Sequence, residues 1–209
     1  MTLARLVDQL KLLINGEVWT SQSTLNIVPG RNMTFDQVET KDTSTLTITA
    51  GANGTLGYWG NFWDTTNQTI SSTTTSYVIT LNSSDPDNDG VTVVGGNKIV
   101  PTTPAAYNIS VSAQVTNTDT QAHEAIFWFR RNGTDIADSA STVTVPSTHG
   151  GKNGHLIFYV DLALYLSAND YVQIVWASDN TSVKLETIAA GTSPVYPRSP
   201  SLIVSVVQV

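Results

Sequence analysis

The segment from Tyr107 to Arg131 contains two consecutive β-strand patterns joined by a polar loop. In YNISVSAQV, apolar and polar residues alternate, which is typical of a half-buried antiparallel strand with Tyr107, Ile109, Val111, Ala113 and Val115 on one face. In AIFWFRR, the residues from Ile126 to Phe129 are all apolar. This second strand is therefore expected either to be buried on both faces or to present one aromatic face to a second subunit.

The composition favours an all-β protein and argues against several classes of function. Charged residues make up only 13% of the 209-residue chain, and Thr and Ser dominate its polar residues, as is common on strand faces and in turns. The absence of Cys excludes a thiol nucleophile or a disulfide-based function. A formal net charge of -7 argues against nucleic-acid binding, which needs clustered cations. No apolar run approaches the roughly 18 residues that span a bilayer, so membrane insertion is not expected.

The first part of the chain is expected to form a short anchoring segment. Leucines recur there with the spacing of an amphipathic helix that ends near Asn15-Gly16: Leu3, Leu6, Leu10 and Leu13. So short a helix must dock its apolar stripe, and its own domain, symmetry mates and a larger assembly are equally open as the target. Residues 25–35 and 44–50 are strand-like and predict a small β-hairpin module.

A glycine-rich break at residues 51–54 predicts a boundary between two domains, residues 1–54 and residues 55–209. Beyond it, short apolar segments separated by turn residues predict strands at 57–63, 75–81, 91–94, 98–100, 107–115, 124–130, 141–145, 156–164, 171–177, 183–188 and 202–209. Many short strands with no credible helix indicate a β-sandwich, a jelly roll or a barrel.

Two groups of residues are candidate metal ligands. Asp85, Asp87 and Asp89 match the opening of a calcium loop, but Gly96 stands where the bidentate Glu should be, so a solvated turn is favoured over a weak cation site. His149 and His155 flank a glycine-rich loop that is too pliant for a rigid metal pair, so hydrogen-bonding loop histidines are favoured. We therefore expect no metal and no other cofactor.

No catalytic motif was found, neither a nucleophile elbow, nor a phosphate-binding loop, nor a dinucleotide fingerprint. No catalytic residue is assigned, and the chain is expected not to be an enzyme. A carboxylate pair with glycosidase geometry cannot be recognised from sequence, since their separation is a three-dimensional quantity.

Several motifs in order, WFRRNGTDI, PSTHGGKNGH, LSANDYVQIVW and GTSPVYPRSPSLIVSV, give the chain a family resemblance from Gly57 to Val209. This region resembles marine bacteriophage virion proteins whose jelly-roll heads are similar to the tumour-necrosis-factor and complement globular-head superfamily. The resemblance implies an all-β, jelly-roll β-sandwich head that forms a homotrimer, in which one sheet packs aromatic and aliphatic residues against its neighbours.

Most aromatic residues are accordingly assigned to the trimer interface or the core: Tyr107, Phe127, Trp128, Phe129, Phe158 and Trp176. Tyr196 lies in the loop SPVYPRSP and is the candidate for an exposed contact. Arg130 precedes a tight turn, where it either is solvated or forms a salt bridge between subunits.

The function implied by the resemblance is that of a virion structural protein on the particle surface, assembled in the host cytoplasm. Its expected partners are two further copies of itself and other virion proteins of the capsid or tail, together with a host-surface glycan or receptor. The chain is short for a complete long tail fibre, which favours a capsid decoration or head-fibre protein. A receptor-binding tail-fibre tip is the alternative, and a glycan-degrading enzyme is a remote third.

Overall fold

The computed structural model describes residues 57–209 throughout and, before them, the strand residues 12–14, 17–20, 33–39 and 44–50. The chain divides into two compact units, Met1–Gly54 and Thr55–Val209. In the described residues every strand pairing is antiparallel. No helix there is long and apolar enough to cross a membrane.

In the described residues of the first unit, β1 (Leu12–Ile14) forms a hairpin with β2 (Glu17–Thr20), and β3 (Met33–Glu39) forms one with β4 (Ser44–Ala50). Leu13 therefore lies in a strand, and the prediction of a helix reaching Asn15 is wrong at its end. Ile14 pairs with Glu17 across Asn15-Gly16, and this dipeptide is a hairpin signal at least as strong as it is a helix stop. Leu3, Leu6 and Leu10 lie outside the described residues. The one predicted hairpin is present as the pairing of β3 with β4, but its first strand begins at Met33 and includes polar residues that were expected to form the connection.

The second unit is a jelly-roll β-sandwich, which confirms the predicted all-β fold class. Its strands are β5 (Trp59–Asp64), β6 (Gln68–Thr69), β7 (Tyr77–Val78), β8 (Ser83–Ser84), β9 (Val91–Val94), β10 (Lys98–Pro101), β11 (Ala105–Asn117), β12 (His123–Arg131), β13 (Thr134–Asp135), β14 (Ser141–Val145), β15 (Gly154–Leu166), β16 (Val172–Ser178), β17 (Val183–Leu185), β18 (Gly191–Thr192), β19 (Val195–Tyr196) and β20 (Leu202–Gln208).

Two seven-stranded sheets form the sandwich. The β11 sheet runs β6-β17-β11-β20-β5-β8, with β15 on the other edge of β11. The β12 sheet runs β13-β12-β16-β10-β9, with β14 beside β12 and β7 beside β16. The chain crosses from one sheet to the other between β11 and β12, between β14 and β15, and again between β15 and β16, so the core closes only when distant segments have come together.

The core lies between these sheets and is built by the alternation of their strands. In β11, Tyr107, Ile109, Val111, Ala113 and Val115 all point inward and are buried. Phe127 of β12 and Phe158 of β15 stack across the sandwich with ring centroids 4.1 Å apart, and Trp176 lies 6.1 Å from Phe127 on its own sheet. This aromatic cluster joins the two sheets at the centre of the molecule.

Strand β12 is not buried on both faces. Phe127 and Phe129 are each 1% exposed, whereas Ile126 faces outward and is 36% exposed. Trp128 is half-buried on the same outer face, where its indole N–H donates to Asp135 Oδ1 at 2.9 Å. Arg130 Nε also donates to that oxygen, at 2.8 Å, so its carboxylate partner lies in the same chain.

Candidate assembly surface

The outward face of the β11 sheet is the most apolar exposed surface in residues 57–209. Large apolar side chains that are at least 36% exposed number ten in this part of the chain. Six of them share this face: Ile157, Tyr159, Tyr165, Ile203, Val207 and Val209. On the outward face of the β12 sheet, by contrast, the charged residues Glu124 and Arg130 flank Ile126 and Trp128 along the strand. A monomer in water rarely leaves such a concentrated apolar face uncovered.

The strand register arranges this face in rows that cross β15, β11, β20 and β5. One row is Tyr159, Ser112, Ile203 and Trp63. The next row is Asp161, Ser110, Ser205 and Asn61. The third row is Ala163, Asn108, Val207 and Trp59. Small polar residues of β11 therefore lie between the outward side chains of β15 and those of β20.

A cavity of about 250 Å³ opens where this face meets the segment that follows β19. The cavity is lined by three apolar side chains, one hydroxyl side chain and one guanidinium: Trp63, Ile203, Pro200, Thr65 and Arg198. Thr65 is held in place because its backbone N–H and hydroxyl both donate to Asn82 Oδ1. Arg198 is exposed and has no salt bridge within residues 57–209.

The opposite side of the face carries a tyrosine and a carboxylate that are already paired. Tyr159 is 61% exposed, and its hydroxyl lies 2.9 Å from both carboxylate oxygens of Asp161. Asp161 is the only acidic residue at an outward position of β5, β11, β15 and β20. It therefore places a negative charge in an otherwise uncharged stretch of the apolar surface.

The hairpin of β18 and β19 is a second exposed feature. Gly191 pairs with Tyr196, and the tyrosine ring lies so close to Gly191 that a side chain there would collide with it. Tyr196, the predicted exposed contact, is 46% exposed, and its neighbour Val195 is 87% exposed. The hairpin thus displays an exposed valine beside an aromatic ring that packs over a glycine.

At one end of the sandwich, His123 lies between two carboxylates. Its Nε2 is 3.0 Å from Asp119 Oδ2, and its Nδ1 is 3.3 Å from Asp179 Oδ1. The hydrogen bonds from His123 and from the Thr120 backbone lower the pKa of Asp119 below its usual value. Because the two carboxylates contact opposite nitrogens of one ring, His123 bridges two loops, and the group is not a chelate.

His155, at the same end, belongs to a separate chain of hydrogen bonds. Thr116 Oγ1 lies 3.0 Å from His155 Nδ1 and donates to Glu186 Oε2 at 2.8 Å. Burial acts to raise the pKa of Glu186, but hydrogen bonds from Lys184 and Thr116 outweigh it and the pKa is lowered. This network, with the Lys184–Glu186 salt bridge at 2.8 Å, ties β17 to β11.

The remaining predicted site residues lie either in the core of one subunit or in a surface turn. Tyr107, Phe127, Phe129, Phe158 and Trp176 are all at most 3% exposed inside a single subunit. The Asp85–Asp89 segment is a turn docked on β5, where Asp85 Oδ1 accepts from the Asp87 N–H. Within residues 57–209 no three His, Asp or Glu side chains come close enough to hold a metal ion.

The exposed face was not predicted from the sequence, because the pattern places aromatic residues on strands without showing which side of β15 and β20 is buried. The signal was present in GHLIFYVDLALYL, where both alternating sets are largely apolar, as they are in IFWFRR. Such a strand buries one set in its own core and leaves the other for a partner.

Comparison with known proteins finds similar solved structures. No family model matches the chain, and no curated protein matches it either. Among solved structures, Eiger TNF from S. frugiperda is similar with a TM-score of 0.44 and 8% sequence identity, over 73% of this chain and 92% of that chain. The fold assignment rests on the strand order and pairing described above. The strand order and pairing define the class as an antiparallel jelly-roll sandwich in which the outward face of one sheet is apolar.

Proposed function

We propose that this chain is a bacteriophage virion structural protein, a homotrimer displayed on the particle surface as a capsid decoration or head-fibre protein. The observation that carries the proposal is the apolar outward face of the β11 sheet, which needs a protein partner to cover it. The ordered motifs between Gly57 and Val209 supply the assignment to phage particles, because they resemble virion proteins whose heads are trimeric.

Three subunits packed on this face would form a rigid knob. Each exposed tyrosine, isoleucine or valine that becomes buried contributes about 25 cal/mol per Å² of apolar area removed from water. The unit Met1–Gly54 would then present three copies of one docking surface to the capsid or tail. Three linked contacts bind far more tightly than one, since the second and third become intramolecular.

A receptor-binding tail-fibre tip is the second candidate, and the β18–β19 hairpin favours it. An exposed tyrosine beside a protruding valine is a suitable anchor for a protein or glycan surface, because aromatic side chains dominate binding hot spots. In that case the hairpin, and not the sheet face, would contact the host.

Copy number in purified particles distinguishes the candidates. Quantitative mass spectrometry of virions should give many copies per particle, in proportion to the major capsid protein, for a decoration protein. A few copies, together with adsorption blocked by the soluble protein, would favour the tail tip instead. Absence of the chain from purified particles would refute both, and hydrolysis of host polysaccharide by the purified protein would favour an enzyme.

A further inference from the structure

A homotrimer with a threefold axis needs two different patches on each subunit, because its contacts are heterologous and run head to tail. The inference below rests on the proposed homotrimer and names the two patches. The apolar face of the β11 sheet has two regions of opposite character, one at each side of its central strands.

The first patch is the cavity lined by Trp63, Ile203 and Arg198, which is a receptor for a side chain. Its volume of about 250 Å³ lies below the roughly 300–1,000 Å³ typical of small-molecule pockets, so one inserted side chain suits it better than a free ligand. Trp63 and Ile203 provide apolar walls, and Arg198 provides a cation without a carboxylate partner in residues 57–209. Guanidinium groups both bind carboxylates and stack on aromatic rings.

The second patch is the Tyr159–Asp161 pair on β15. The ring is 61% exposed, and the carboxylate is fixed beside it by the hydroxyl hydrogen bonds of 2.9 Å. Ring and charge are thus presented together, with little conformational freedom left to lose on binding. The Tyr159 ring complements the apolar walls of the cavity, and the Asp161 carboxylate complements its cation.

The two patches cannot meet within one subunit. Tyr159 and Trp63 occupy the same row of the sheet, with Ser112 and Ile203 between them. Three strand spacings separate them, which is roughly 14 Å. A second copy of the chain is therefore the occupant that supplies the complementary charge.

We infer that the Tyr159 ring of one subunit inserts against Trp63 and Ile203 of the next subunit, and that Asp161 pairs there with Arg198. The contact repeats three times around the axis. It gives the trimer its register, because the single outward-facing carboxylate of β5, β11, β15 and β20 must meet a cation at the edge of the neighbouring face.

Charge reversal tests this pairing. Sedimentation velocity over a range of concentrations would compare the wild type with Asp161→Arg, Arg198→Asp and the double variant, with Lys152→Glu as a control that changes an exposed charge in a loop. Each single reversal should raise the concentration of half-dissociation at least about tenfold, since close interfacial charge pairs couple by 1.5 kcal/mol or more. The double variant should recover at least about tenfold relative to the weaker single variant, and Lys152→Glu should match the wild type.

The outcomes separate this inference from the proposed function. A wild type that sediments as a monomer refutes the homotrimer, and with it this contact. A trimeric wild type whose two single variants dissociate at the wild-type concentration leaves the homotrimer standing and refutes the pairing. Weakened single variants without recovery in the double also refute it, provided that far-ultraviolet circular dichroism shows the sandwich to be folded in each.

Discussion

Replacing Phe127 by Ala should remove the centre of the contact between the two sheets. Phe127 is 1% exposed and stacks on Phe158 at a centroid distance of 4.1 Å, so its truncation leaves a cavity between the sheets. Phe→Ala changes in protein cores cost about 3–5 kcal/mol, and the lost stacking places this one in the upper half of that range. Since whole domains are stable by only about 5–15 kcal/mol, the folded state should survive but melt about 8–20 °C lower.

Ile126→Ala is the matched control, because Ile126 lies next to Phe127 on the same strand but faces outward at 36% exposure. Both changes lower β propensity by a similar amount, so their difference isolates the core contact. Urea unfolding at one fixed protein concentration should show a loss of at most about 1 kcal/mol for Ile126→Ala. Equal losses for the two variants would refute the assignment of inward and outward faces on β12.

Three further changes probe the sandwich, each by urea unfolding. Asp64→Ala should cost about 2–4 kcal/mol, because this buried carboxylate accepts hydrogen bonds from three neighbouring side chains and one backbone N–H; a loss below about 0.5 kcal/mol would contradict that role. Asp135→Asn should destabilise the protein at neutral pH, and the loss should shrink as the pH falls below the ordinary carboxylate pKa of 3.8. The Arg130 hydrogen bond lowers the pKa of Asp135 in the folded state, so the stabilisation that it gives is present only while the carboxylate is ionised. A difference that stays constant down to pH 2 would contradict it. Gly154→Ala should lower the free energy of unfolding far more than Gly150→Ala, because a Cβ at Gly154 meets a backbone carbonyl. A Cβ at Gly150 meets open space and costs only about 1–2 kcal/mol through the positive φ. Equal losses for the two variants would contradict this prediction.

The fold of the second unit followed from its sequence because strand alternation is a local signal. The bounds of β9 and β14 agree with the predicted 91–94 and 141–145, and the long strands β11, β12 and β15 extend only one or two residues beyond the predictions at each end. The two-residue strands β6, β8 and β13 were missed, since their pairing depends on distant segments and not on their own residues.

The first hairpin could not be predicted from periodicity alone. Leu12–Ile14 is a short apolar run that fits a helix as well as a strand, and Asn15-Gly16 can end one or turn the other. The candidate site could not be predicted from local sequence patterns either, because Trp63, Ile203 and Tyr159 lie on three different strands. Only the register that places Ile203 beside Trp63 and opposite Ser112 brings them onto one face.

Sedimentation equilibrium of the 209-residue chain tests the central claim most directly. The apolar face of the β11 sheet should be covered by two further copies, so the measured mass should be about three times the chain mass of 22.4 kDa at micromolar concentration. A mass equal to that of one chain under the same conditions would show that the face remains exposed, and would contradict the account of this protein as a trimer.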